Sequence, residues 1–167
     1  MKLAKVFKEN KQFTLFSILA LVVVGVAVFA PQIAPYDPLD AVMLESLQAP
    51  SSAHPFGTDK LGRDLLSRVI FGTRTSLIMT LCLVAVIFVI GTFLGVIAGY
   101  FGGIVDGVIM RIADMMISFP GLVLAIAIAG MLGPNLVNAV ISIAAVSWTK
   151  YARLARSMVL RSEEHTS

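Results

Sequence analysis

Four stretches of the chain are long and apolar enough to read as membrane-crossing helices. The first, Phe13–Ala30, follows Lys2, Lys5, Lys8 and Lys11, with Glu9 as the one acid among them. Its eighteen residues, at 1.5 Å rise each, cover roughly 27 Å, close to the thickness of a bilayer core. A cleaved secretory signal has a similar basic start. This run is long for one, however, and Pro31 stands where the residue after cleavage at Ala30 would lie. The run is therefore read as a retained helix with its N-terminus inside.

Residues 31–75 have another texture. Pro31, Pro35, Pro38, Pro50 and Pro55 break any long helix, and Asp37, Asp40 and Glu45 make the first half acidic. After the turn-like Gly57-Thr58-Asp59, the segment Lys60–Arg74 predicts an amphipathic helix along the membrane surface. Leu61, Leu65, Leu66, Val69 and Ile70 fall near helical spacing, opposite Arg63, Asp64 and Arg68.

The second span, Leu77–Ala98, is free of charge. Gly91, Gly95 and Gly99 recur at i, i+4 and i+8, a face on which another helix backbone can approach closely. The turn Tyr100–Gly103 leads to a third span, from about Val108 to Leu132. Arg111 and Asp114, three apart, predict an intramembrane ion pair, and Pro120 predicts a kink. Gly121, Ala125, Ala129 and Gly133 repeat the small-residue spacing of a packing face. Gly133-Pro134-Asn135 reads as a turn, and Leu136–Thr149 as a fourth, shorter span. Trp148 and Tyr151 suit an interfacial belt, and Lys150, Arg153, Arg156 and Arg161 are the bases at its end. Four crossings from a cytoplasmic N-terminus return the chain inside. Both inner ends are then basic, while the outer loop holds four bases against five acids.

Composition removes the ordinary soluble alternatives. Of the 167 residues, 57% are hydrophobic and 14% charged, where a soluble domain has about 45–50% and about 25%. Mean hydropathy is +0.90. The single Cys82 excludes a disulfide framework, and His54 and His165 lie too far apart for a histidine-built metal site. The net charge of +3 gathers at the ends of apolar runs, unlike a nucleic-acid footprint.

Nucleotide loops and hydrolase signatures are absent from the sequence. A Ser52, His54 and Asp59 set could be assembled, but residues of those types meet in loops by chance. No catalytic, cofactor-binding or metal residues are assigned. A chain of this kind cannot drive active transport by itself. A gradient-driven carrier is poorly supported too, since the charges near the spans are Arg111 and Asp114 and the candidate helix break is Pro120-Gly121.

The stretch from His54 to Arg68, HPFGTDKLGRDLLSR, resembles a signature of one family, the inner-membrane permeases of binding-protein-dependent ABC importers in the dipeptide, oligopeptide and nickel group. Within it stand Gly57, Thr58, Asp59, Gly62, Arg63, Asp64, Ser67 and Arg68. The likeness continues at Gly72–Leu77, Gly99–Gly103, Asp106, Met110–Asp114, Ser118–Pro120 and Trp148–Arg153 with Arg156, and so covers about residues 10–160.

The resemblance implies an all-α, six-helix type I permease subunit of a bacterial or archaeal inner membrane. It implies as partners a second permease subunit, two cytoplasmic ATPase subunits that use the ATP, and an extracytoplasmic solute-binding protein. Residues 1–75 then form the N-terminal segment with its outer loop, and 76–160 the first part of the transmembrane domain. A gate or docking role is expected for the loop motif, against the alternative of a surface helix held by local ion pairs.

The family's ATPase-docking segment and helices five and six do not follow. The last residues, Arg161–Ser167, translate AGATCGGAAGAGCACACGTCT, a sequencing-adapter oligonucleotide. They are expected to be non-native, and the chain to be a fragment inactive alone. The rival readings are a small membrane anchor or assembly protein, and a membrane enzyme with its site on the outer loop.

Overall fold

The computed structural model describes residues 10–164 and is helical, with no strand among them. The helices are α1 (Lys11–Val28), α2 (Ala30–Ile33), α3 (Leu65–Phe101), α4 (Gly103–Ser118), α5 (Gly121–Leu132) and α6 (Leu136–Glu164), with a 3-10 turn at Met43–Glu45. Lys2, Lys5, Lys8, Glu9 and His165, on which parts of the sequence reading rest, lie outside the described residues. The chain divides into two units, 1–78 and 79–167.

In the first unit, α1 is the first predicted span, with an 18-residue apolar window of mean hydropathy 2.0. The next helix does not start at Lys60 as expected. Asp64 sets its start, because its Oδ2 accepts the Ser67 N–H at 2.7 Å, capping the first turn. Nor does a surface helix end before the second span. After Leu65 no proline interrupts the apolar run, so one helix of 37 residues continues to Phe101. At 1.5 Å per residue it measures about 55 Å, longer than a bilayer core.

In the second unit, α3 ends at Phe101, where Gly102 and Gly103 turn the chain into α4 with φ of +59° and +49°. The expected third span is not one kinked helix but two, bent by 93° between α4 and α5. Proline at 120 has no N–H to give and pushes its predecessor out of helical space, so Phe119 is extended at φ −93°, ψ 147°. The residues expected to form a fourth span make the first half of α6, which is not among the helices apolar enough to count as a candidate span. Asn135 starts it by accepting the Val137 N–H at 2.8 Å, and the helix then runs on past Arg161. Among the described residues two helices are long and apolar enough to cross a membrane, or three if the bent pair counts as one span.

Small residues make the interior: Ala98, Ala113 and Ala152 are fully buried, while Phe93, Leu122 and Leu81 stay more than 60% exposed. Bulk outward and alanine inward is the pattern of helices that pack on each other and face lipid.

Candidate functional site

The loop motif folds back on itself as a polar knot. Gly57 and Gly62 hold φ +74° and +73°, and a Cβ on Gly62 would stand 1.8 Å from Val42 O, one on Gly57 2.4 Å from Gln48 O. Only glycine fits two such crossings. They bring Thr58 inward, where its hydroxyl donates to Glu45 O and accepts the Gln48 N–H at 2.9 Å.

Two carboxylates organise the rest. Asp64 is buried; it accepts Ser67 N–H and Oγ–H, each at 2.7 Å, and faces His54 Nδ1 at 3.0 Å. Burial pushes its carboxyl up, but the Ser67 and His54 hydrogen bonds outweigh this and hold it below the usual range. His54 Nε2 lies 3.4 Å from Glu45, and Tyr36 stacks near the imidazole with ring centroids 4.9 Å apart. Asp59 takes the Arg63 guanidinium at 2.8 Å and also pairs with Arg68, and it accepts the backbone N–H of Leu61 and Arg63. The Arg63 side chain foremost, opposed by partial burial, lowers its pKa to about 2.

All eight motif residues thus lie in one knot, and the ion pairs point inward to each other. Ser52, His54 and Asp59 do not assemble: His54 faces Asp64 and Glu45, while Asp59 faces the two arginines. No group of three or more His, Cys, Asp or Glu among the described residues could hold a metal ion.

In the second unit, the glycine face of α3 seats α6. A Cβ on Gly91 would meet Tyr151 Cβ at 2.6 Å, one on Gly95 Ala152 O at 2.2 Å, and one on Gly99 Val159 Cβ at 2.8 Å. Phe88 and Tyr151 meet edge-on at 6.3 Å. On the other small-residue face, Ala125 is buried, Ala129 half-buried and Gly121 exposed, with Val146 3.4 Å from a Cβ built on Gly121. The expected Arg111–Asp114 pair does not form. Asp114 pairs with Arg153 instead, and Asp106 takes both the Nε and an NH2 group of Arg156. Spacing along α4 puts Arg111 and Asp114 on one side but cannot rank Arg111 against a base from another helix. The sequence reading missed both cross-helix pairs. Their signal was the charge balance: two acids in an apolar stretch need cations, and Arg153 and Arg156 were at hand.

Helical spans, a lipid-facing surface and a folded polar loop define a multi-pass membrane protein. Residues 91–165 match the family described as "Binding-protein-dependent transport system inner membrane component", and residues 2–50 match "N-terminal TM domain of oligopeptide transport permease C". The probable D,D-dipeptide transport system permease protein DdpC of Escherichia coli K12 is 40% identical over 165 residues, 99% of this chain and 55% of that protein. The dipeptide transport system permease protein DppC of Haemophilus influenzae is 39% identical over 92% of this chain and 54% of its own length. The nickel transport system permease protein NikC of E. coli K12 is 40% identical over 75% of this chain and 46% of its own. Along nearly its whole length the chain is similar to inner-membrane permeases of binding-protein-dependent transport systems. It spans about half the length of these curated relatives.

Proposed function

We propose that the chain forms part of the translocation path of an ABC importer for peptides or a related small solute, a nickel complex included. The observation that carries this reading is identity of about 40% along nearly the whole chain to a dipeptide permease. In this reading the chain is no enzyme. It pairs with a second permease subunit beneath an extracytoplasmic solute-binding protein, and two cytoplasmic ATPase subunits supply the energy from ATP. The N-terminus is cytoplasmic and the chain crosses four times, α4 with α5 as the third crossing and the start of α6 as the fourth. The basic ends at Lys2–Lys11 and Lys150–Arg161 favour that orientation.

The polar knot is assigned to orienting the start of α3 beside the outer gate. Support comes from its inward pairs, which leave Arg63 and Arg68 engaged with Asp59.

A chimera tests the transport reading. Residues 1–160 replace the matching segment of a dipeptide permease in a strain that needs imported dipeptide to grow. Growth on dipeptide is the expected result. A chimera that reaches the membrane and assembles with its ATPases, yet takes up no dipeptide, nickel or glutathione, overturns the reading.

A further inference from the structure

A groove of about 360 Å³ lies among α4, α5 and α6. Met116, Phe119, Leu122, Ala125 and Val146 line it, together with Lys150. Its volume falls within the range of small-ligand sites. Its walls are apolar apart from a few groups near Lys150, and Thr149 already donates its hydroxyl proton to Val146 O.

Lys150 is exposed and has no carboxylate partner among the described residues. The reason can be counted. Between Gly103 and Ser162 the sequence has two acids, Asp106 and Asp114, and Arg156 and Arg153 occupy them. A cation is therefore left over beside an apolar groove. Lys150 also stands between Trp148 and Tyr151, residue types that collect at the level of lipid headgroups.

We propose that this groove is a binding site for an anionic phospholipid, with an acyl chain along the apolar wall and the phosphate on Lys150. On the proposed topology α4, α5 and α6 meet within the bilayer, and Lys150 is the one charged residue in the lining and is unmatched, so the occupant is a lipid of opposite charge. A zwitterionic headgroup matches that charge less well. The proposal needs the chain to sit in a membrane, and does not need it to transport anything.

Native mass spectrometry of the full chain in detergent tests it, with phosphatidylglycerol and phosphatidylcholine of identical acyl chains as probes. One lysine near a headgroup favours the anionic lipid by about fivefold. Lys150→Gln is expected to remove that preference and Lys150→Arg to keep it. Val146→Phe, which fills the groove and leaves the charge, is expected to weaken both lipids. Ile143→Phe, on another part of the lining, serves if Val146→Phe does not fold. Equal binding of the two lipids by the parent chain overturns the proposal. So does a preference that survives Lys150→Gln, and so does a groove-filling variant that folds and binds as the parent does.

Discussion

Asp64 does three things with one carboxylate: it caps α3 through Ser67 N–H, holds the Ser67 hydroxyl, and faces His54. Asp64→Ala removes the cap, which alone costs about 0.5–2 kcal/mol, and leaves buried partners unpaired. Hydrogen exchange of the full chain in detergent should show the first turn of α3 and residues 54–58 losing protection together, with α6 unchanged. Asp59 sets the response to acid. Its folded pKa, about 2, lies below the ordinary 3.8, so its contribution is complete above about pH 4 and disappears as pH falls through about 2. Asp64 shifts the same way. Spectroscopy of the knot, for instance Tyr36 fluorescence in a Trp148→Phe, Tyr100→Phe, Tyr151→Phe background, should report loosening only in that acid window, and Asp59→Asn should loosen it already at neutral pH.

At the scale of elements, the two glycine roles separate cleanly. Gly95 is a contact glycine, since an added Cβ would stand 2.2 Å from Ala152 O. Gly95→Ala should therefore cost about 1–3 kcal/mol by forcing α3 and α6 apart. Gly72, on the same helix, has nothing within 4 Å of a built Cβ. Gly72→Ala should instead gain up to about 1 kcal/mol from helix propensity. Thermal unfolding of both variants in one detergent decides between a seat and a merely glycine-rich helix. Periodicity made this face legible because the spacing is local to one helix. The ion pairs were not legible in the same way. Asp106 and Arg156 lie fifty residues apart, and their meeting depends on how α4 and α6 come together after the turn at Phe119-Pro120. Local spacing could nominate Arg111 for Asp114 but could not see Arg153 arriving from α6. The knot lay between these extremes. Its residues stand together in the motif from His54 to Arg68, yet their pairing rests on two left-handed glycines whose close neighbours, Val42 and Gln48, lie outside it.

For the molecule as a whole, the 93° bend between α4 and α5 matters most, because it leaves two arrangements of the chain in a bilayer. If α4 and α5 together cross, the turn at Gly133–Asn135 emerges on the face opposite Gly102-Gly103. If they dip in and return, the two turns share a face. The basic residues favour crossing. In the proposed orientation Lys150, Arg153, Arg156 and Arg161 lie at the inner end of α6, which puts Asn135 at its start outside. Cysteine accessibility decides this in intact cells. Cys82 is exposed on α3 within the apolar run and is first replaced by Ser, leaving a cysteine-free chain. Single cysteines then go to Leu44 in the loop, Gly103 at the turn after α3 and Asn135. A membrane-impermeant maleimide should label the first and third from outside and the second only after the cells are opened. Labelling of Asn135→Cys only in opened cells would make α4 and α5 a re-entrant pair and remove one crossing from the path. The same result would put the groove beside Lys150 at a different depth, so it also bears on which lipid the groove can hold.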